Sequence, residues 1–148
     1  MEKLPPLIVA RTAIQDKNGR LLLLRRSVDD NHNPELWEFV GGKVESLDEE
    51  HQARELIEET GLTVEPVSPN VLVERRLIQD GKKYDGQDYV MYCRLGKLIG
   101  GDLRLSAEHS RAAWVSKDFD FGASSRLTRQ TRSAAWLLKY YLNKSHSA

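Results

Sequence analysis

The chain has 148 residues, with 22 lysine or arginine and 22 aspartate or glutamate residues, so its formal net charge is zero. This length suits one domain spanning residues 1–148, and the charge balance argues against binding to nucleic acid or to an acidic membrane surface. The single cysteine, Cys93, excludes an internal disulfide and is expected to be a buried, inert thiol. No apolar run reaches the about 18 residues of a membrane span, and no signal peptide is evident, so a cytoplasmic protein is expected.

The first part of the chain predicts short apolar strands. Residues 7–14, with the sequence LIVARTAI, and residues 21–26, with the sequence LLLLRR, are separated by an Asn-Gly pair that is typical of a hairpin. Residues 36–39, with the sequence LWEF, predict a further short strand that leads directly into Gly41 and Gly42.

A helix is predicted over residues 47–60. It is expected to end at Gly61, because glycine readily takes the left-handed conformation that closes many helices. Ser46 and Glu49 have the spacing of a capping box, which predicts where the helix begins.

The second part of the chain predicts strands at 71–80, 88–95 and 112–116, followed by an amphipathic helix within 124–144. Six tail residues recur at helical spacing and are expected to face the core: Leu127, Thr131, Ala134, Ala135, Leu138 and Tyr141. Strands on both sides of a central helix, with a further helix at the end, predict an α/β (α+β) protein with a mixed sheet between helical layers.

The predicted central helix crowds three carboxylates onto one surface. Glu55, Glu58 and Glu59 are three or four residues apart, and like charges at this spacing destabilise a helix by roughly 0.2–0.5 kcal/mol per pair. Glu58 and Glu59 also lie in the last turn, where the helix dipole disfavours anions. A divalent cation would reverse both effects, and oxygen ligands suit Mg²⁺ or Mn²⁺. The alternative is an acidic helix face that is merely solvated.

Residues 54–62, with the sequence RELIEETGL and preceded by GGKVE, resemble the signature box of the Nudix hydrolases. These metal-dependent enzymes cleave nucleoside diphosphates that are linked to another group. Residues 36–43, with the sequence LWEFVGGK, are similar to the segment before the box in MutT-like nucleoside triphosphate pyrophosphohydrolases. Residues 105–116, with the sequence LSAEHSRAAWVS, resemble the later stretch in which a loop glutamate precedes a Trp-containing strand. The resemblance implies the Nudix fold.

The resemblance also implies a metal site that holds Mg²⁺, with Mn²⁺ as an alternative. Its implied ligands are the carbonyl of Gly41 and the carboxylates of Glu55, Glu58, Glu59 and Glu108. Arg54 is implied to orient these carboxylates, and Glu108 is implied to be an additional ligand or the general base. An exposed loop glutamate without a role is the alternative for Glu108.

Three residues are assigned to substrate binding, namely Arg26, Phe39 and Gly42. Arg25 and Arg26 end a strand and point to opposite faces, and similarity to MutT-like proteins favours Arg26 as the one that reaches phosphate. A surface arginine is the alternative. Trp37 and Phe39 share one strand face, so they either line a base pocket or fill the core, and the core is favoured.

The box departs from the family pattern in its loop. Gly42 and Arg54 are 12 positions apart, which is two residues fewer than usual, and Ser46 stands where the family has a loop glutamate. We hypothesise that Glu45 or Asp48 replaces that glutamate. His51 stands where a small residue is common, and a partly buried packing role is favoured over contact with the site.

The expected reaction is cleavage of a nucleoside triphosphate to a monophosphate and pyrophosphate. Residues 74–82 lack the proline or tyrosine typical of family members that act on ADP-ribose or dinucleoside polyphosphates. An oxidised guanine nucleotide such as 8-oxo-dGTP and a pyrimidine triphosphate both stay open. The alternatives are an ADP-ribose or nucleotide-sugar pyrophosphatase and a non-catalytic nucleotide-binding module. Either a monomer or a homodimer is compatible with the sequence.

Overall fold

The computed structural model describes residues 4–144. In chain order the elements are β1 (Leu7–Gln15), β2 (Arg20–Arg26), β3 (Trp37–Glu38), β4 (Val40–Lys43), α1 (Glu49–Thr60), β5 (Leu62–Pro66), β6 (Val71–Leu77), β7 (Asp88–Gly101), β8 (His109–Ser116), a 3-10 turn (Phe121–Ala123), α2 (Arg129–Leu137) and α3 (Lys139–Lys144). Within this range no helix is both long and apolar enough to cross a membrane.

Across the described residues, eight strands form one mixed sheet. The strands β3, β2, β1, β7 and β5 lie side by side in that order, while β4 pairs with β1, β6 with β7 and β8 with β2. The pair of β1 and β7 is parallel, and the other pairs are antiparallel. The 14-residue β7 pairs with three other strands, β1, β5 and β6.

Both faces of the sheet are buried, as the apolar strands require. Along β2, Leu21 and Leu23 belong to the core under the tail helices, whereas Leu22 and Leu24 belong to the core under α1. This alternation follows from the two-residue period of a strand. Leu56 closes the second core from α1. The predicted mixed sheet between helical layers is confirmed.

Several predicted boundaries are wrong for reasons of pairing. β7 extends six residues beyond the predicted end at 95, because β5, which was not predicted, pairs with its second half. The strand predicted at 36–39 is reduced to Trp37–Glu38, which pairs with β2, and a separate strand, β4, begins at Val40 and pairs with β1.

The tail forms two helices where one was predicted. The first of them, α2, begins at Arg129, because the side chain of Thr128 caps it by accepting a hydrogen bond from the backbone N–H of Thr131. The helix is interrupted at Leu138, whose N–H is shared between two carbonyls of α2. The predicted core-facing residues are buried, except Tyr141, which is partly exposed. Cys93 is buried as predicted, and burial raises its pKa to about 12.

The predicted capping box at the start of α1 is wrong. Asp48 is the N-cap, and its side chain accepts a hydrogen bond from the backbone of Glu50. The carboxylate of Glu49 instead forms an ion pair with the buried guanidinium of Arg94 on β7. Because Arg94 is only 1% exposed, this pair fixes the start of α1 against the sheet.

The loop between β2 and β3 is organised around Asp30. One carboxylate oxygen of Asp30 accepts hydrogen bonds from the backbones of His32 and Asn33, and the other binds Arg26. Burial opposes the charge, but these hydrogen bonds and Arg26 lower the pKa of Asp30 to about 2.

The glycine that ends α1 allows a first test of the fold. Gly61 has a φ of 77°, and an added Cβ would lie 2.3 Å from the carbonyl oxygen of Asp102. Gly61→Ala should therefore lower the free energy of unfolding by more than the about 1–2 kcal/mol that left-handed backbone costs an L-residue. Gly81→Ala is the matched control, with a φ of 66° and no atom within 4 Å of its added Cβ. Equal losses in urea denaturation would contradict the close packing at Gly61.

The pKa of Asp30 allows a second test. Because its pKa falls from 3.8 to about 2 on folding, its charge stabilises the protein above pH 4 and ceases to do so as the pH falls towards 2. Asp30→Asn should therefore be less stable than the wild type at pH 7, and the difference should shrink between pH 4 and pH 3. Urea denaturation at pH 7, 5, 4 and 3 measures this difference. A difference that is constant or grows on acidification would contradict the role of the Asp30 charge.

Candidate active site

A cleft of about 570 Å³ opens between α1, β4 and the loop before β8. Its lining includes six of the residues that the sequence assigned to metal or substrate: Gly41, Gly42, Glu55, Glu58, Glu59 and Glu108. The three helix glutamates meet there because residues three and four apart share a helix face. Glu108 reaches the cleft from the other side, since its loop leads into β8.

The cleft depends on a close approach of two strands at Gly41. This residue has a φ of 146°, and an added Cβ would lie 2.1 Å from the carbonyl oxygen of Ala10 on β1. Only glycine fits this position. The carbonyl oxygen of Gly41 accepts a hydrogen bond of 3.1 Å from Nη1 of Arg11. Gly42 has open space where a Cβ would stand, and thus presents bare backbone to the cleft.

Glu59 is the most unusual carboxylate of the cleft. Its Oε1 is buried and has no hydrogen-bond partner among the residues that the structure describes. Burial raises its pKa to about 7, opposed by the charges of His109 and Arg11 and assisted by those of Glu108 and Glu38. Ligand atoms of Glu59, Glu108 and His109 all lie within 4.8 Å of one another. A buried acceptor beside another carboxylate is a position for a cation.

Each of the other two helix glutamates has one long contact with a basic side chain. Glu55 lies 3.6 Å from Nε2 of His51, and Glu58 lies 3.9 Å from Nε of Arg54. These contacts leave most of the negative charge of the cleft uncompensated. An orphaned buried oxygen, several carboxylates and a backbone carbonyl form a set of hard oxygen donors, which fits a divalent cation such as Mg²⁺.

Arg54 and His51 lie at the edge of the cleft. The side chain of Arg54 is 63% exposed; its guanidinium contacts Glu58 and lies 3.0 Å from Nδ1 of His51. His51 is partly buried and touches Glu55, so it combines the packing role that the sequence favoured with contact to the site.

The hypothesis that Glu45 or Asp48 replaces the family's loop glutamate receives no support. Neither residue lines the cleft. Asp48 is engaged as the helix cap, and Glu45 is exposed. The carboxylates that line the cleft therefore come from α1 and from Glu108.

A smaller cavity of about 270 Å³ adjoins the cleft and contains residues that the sequence did not predict. Its lining shares Gly41, Gly42, Lys43 and Glu108 with the cleft and adds Arg26, which the sequence assigned to substrate binding. The unpredicted members include Arg11, Glu38 and His109. Charged residues inside the otherwise apolar strands LIVARTAI and LWEF were the available signal for the first two.

Glu38 lies at the centre of this second group and is 2% exposed. Its carboxylate contacts Arg11 at 3.3 Å, Arg26 at 2.8 Å and His109 at 2.9 Å. Burial would raise the pKa of Glu38, but the hydrogen bond from His109 and the charges of Arg11 and Arg26 hold it below its usual range. This carboxylate is thus ionised and fully partnered.

The side chain of Phe39 lies outside both cavities, which corrects its assignment to substrate binding. It is 0% exposed and packs in the core under the tail helices, 6.0 Å from the ring of Phe121. Trp37 packs against the same core. The alternation of the extended chain over residues 37–39 turns both rings inward and Glu38 towards the cavity.

Comparison with solved structures finds the same fold in several proteins. The MutT protein of Methanosarcina mazei Go1 is 25% identical over 100% of both chains, with a TM-score of 0.69. The MutT NUDIX hydrolase of Burkholderia pseudomallei is 26% identical over 90% of this chain and 98% of that chain, with a TM-score of 0.64. An ADP-ribose pyrophosphatase of Streptococcus suis 89-1591 has a similar fold, at 22% identity over 96% and 93% of the two chains and a TM-score of 0.61.

A search among curated proteins found no match. A family profile described as the NUDIX domain matches residues 5–119. This range includes β1 to β8 and therefore every residue that lines the acidic cleft. Because the match covers well over half of the chain, the chain belongs to the Nudix family and is a hydrolase of diphosphate bonds.

Proposed function

We propose that the chain is a metal-dependent pyrophosphohydrolase that cleaves a nucleoside triphosphate to a monophosphate and pyrophosphate. Its metal is Mg²⁺, with Mn²⁺ as a substitute. The observation that carries the proposal is the buried oxygen of Glu59, which no described residue hydrogen-bonds, in a cleft that also contains Glu55, Glu58 and Glu108. A solvated acidic face would not bury such an oxygen, because an unsatisfied buried acceptor is costly.

In this proposal Glu55, Glu58 and Glu59 would hold the metal together with the carbonyl of Gly41. Glu108 would be an outer partner of that metal, since its ligand atom lies within 4.8 Å of that of Glu59. When bound, the metal neutralises phosphate charge and lowers the pKa of a coordinated water. Arg54 restrains Glu58 through their contact at the cleft edge.

Glu108 is our candidate for the proton acceptor. It is exposed, it lines the mouth of the cleft, and its side chain has no hydrogen bond or ion pair among the described residues. A free carboxylate at the mouth can accept the proton of the water that attacks phosphorus. Glu59 is a less suitable acceptor in this arrangement, since its oxygen is buried among the proposed ligands.

Arg26 is proposed to bind the substrate phosphates. Its Nη atoms are occupied by Glu38 and Asp30, but its buried Nε has no partner among the described residues. That nitrogen is an unpaired donor beside the smaller cavity, and because it is shielded from solvent, the side chain must shift for a phosphate oxygen to reach it. The bare backbone of Gly42, at the junction of the two cavities, permits a substrate to approach closely.

The proposed substrate is a small nucleotide, and the identity of its base is open. The choice of a triphosphate rests on the resemblance of LWEFVGGK to MutT-like enzymes and on the composition of residues 74–82. The solved neighbours include both MutT proteins and an ADP-ribose pyrophosphatase, so a diphosphate linked to a sugar is the second candidate.

A substrate screen tests the proposed reaction. The purified chain would be incubated with Mg²⁺ and a panel of standard and oxidised nucleoside triphosphates, ADP-ribose and nucleotide sugars, and the products identified by mass spectrometry. We expect a nucleoside monophosphate and pyrophosphate. A sugar phosphate as the product would favour the second candidate. Nucleotide binding without turnover of any compound would contradict the enzymatic proposal.

Replacement of Glu59 tests the metal site. Glu59→Gln removes one negative charge at almost constant volume, and we expect at least about a 100-fold loss of Mg²⁺-dependent hydrolysis, since even indirect partners of metal ligands contribute 10–100-fold. Glu50→Gln is the matched control, because Glu50 lies exposed on the first turn of the same helix, outside the cleft. Full activity of Glu59→Gln would show that the metal site is assigned wrongly.

A further inference from the structure

Glu38 joins three segments of the chain that meet beside the cleft. Its carboxylate contacts Arg11 on β1, Arg26 at the end of β2 and His109 at the start of β8. The side chains of Glu38 and His109 are each 3% exposed, so the contact between them is shielded from solvent. A shielded, charged contact has a defined geometry, because its loss would leave unpaired polar groups.

Glu38 fixes the direction of Arg26. Both carboxylate oxygens lie within 3.0 Å of Nη1 of Arg26, while Asp30 holds Nη2. A β-bulge between Arg25 and Arg26 helps to turn this side chain towards the cavity. Arg25, by contrast, points outwards to the exposed Glu35. The position of the free Nε of Arg26 thus depends on Glu38.

Glu38 also holds the segment that carries Glu108. Nε2 of His109 lies 2.9 Å from Oε2 of Glu38, and this nitrogen must carry the proton because an ionised carboxylate only accepts. His109 directly follows Glu108 in the chain. The carbonyl of Glu108 in turn accepts a hydrogen bond of 2.9 Å from the backbone of Ser27, which directly follows Arg26. The segments of Arg26 and Glu108 are therefore linked twice. One link runs through the side chains of Glu38 and His109, and the other is the backbone hydrogen bond from Ser27 to Glu108.

We propose that Glu38 is a positioning residue that couples Arg26 to the loop of Glu108. In this role Glu38 sets the distance between Arg26, the proposed phosphate ligand, and Glu108 at the mouth of the cleft. Glu38 does not itself reach the carboxylate cleft, since it lines only the smaller cavity. The role rests on the proposed function, because it concerns two residues of that same site.

The first test replaces Glu38 by Gln, which keeps the shape but removes the charge. Mn²⁺ binding is measured by electron paramagnetic resonance without substrate, and kcat and KM are measured with the triphosphate identified in the screen. Glu38→Gln should weaken Mn²⁺ binding about 10-fold, raise KM through Arg26 and lower kcat through Glu108. Glu35→Gln is the matched control, because its pair with Arg25 is exposed, and it should stay within twofold of the wild type.

The second test removes only the contact between His109 and Glu38. His109→Ala removes the donor to Glu38 and should weaken Mn²⁺ binding and lower kcat, with a smaller effect on KM. His109→Gln supplies an amide N–H near the position of Nε2 and should restore most of both losses. These variants leave both arginine contacts of Glu38 in place, so they keep the proposal testable if Glu38→Gln does not fold.

The outcomes separate this inference from the proposed function. Circular dichroism and thermal melting first establish that each variant is folded. A folded His109→Ala or Glu38→Gln with unchanged Mn²⁺ affinity, kcat and KM would overturn the coupling, even if its melting temperature fell. A wild type that binds no Mn²⁺ and hydrolyses no compound would overturn the proposed function, and the coupling with it.

Discussion

The close approach of β4 to β1 is the constraint on which the site depends. Gly41 stands opposite Arg11 in the register of these strands, and Gly42 stands opposite Ala10. No residue with a side chain can occupy position 41, because its Cβ would overlap the backbone of β1. The contact places two glycines between the acidic cleft and the smaller cavity, so that both cavities share this stretch of exposed backbone.

Each cavity contains a buried carboxylate, and the pKa values of the two are shifted in opposite directions. Glu38 is surrounded by two arginines and a histidine, and its pKa is lowered despite its burial. Glu59 is also buried, but its nearest charged neighbours include Glu108, and its pKa is raised to about 7. Since burial is common to both, the difference arises from the partners. Glu38 has its partners within the protein, whereas the buried Oε1 of Glu59 has no hydrogen-bond partner among the described residues and, in our proposal, binds a cation.

The sequence was informative where the cause is local. The spacing of Glu55, Glu58 and Glu59 predicts a common helix face, and Gly61 predicts the end of that helix, as observed. It was uninformative where distant segments meet. Neither Arg11 nor His109 has a local pattern that predicts their meeting at Glu38, because this contact exists only when β1, β3 and β8 are assembled.

The wrong prediction at the start of α1 has the same origin. A capping box requires a free Glu49, but Arg94, 45 residues later in the chain, binds that carboxylate, and the cap passes to Asp48. The sequence also left the role of Phe39 undecided, since an aromatic residue beside two glycines suits a binding pocket or the core. Burial under the tail helices decides for the core.

We propose above that Glu59 belongs to a divalent-cation site. A crystal of the wild-type protein soaked in Mn²⁺, with anomalous scattering recorded at the manganese edge, tests it most directly. We expect an anomalous peak at bonding distance from a Glu59 oxygen and from an oxygen of at least one of Glu55, Glu58 and Glu108. Peaks confined to exposed carboxylates away from the cleft, or the absence of any peak beside Glu59, would contradict it.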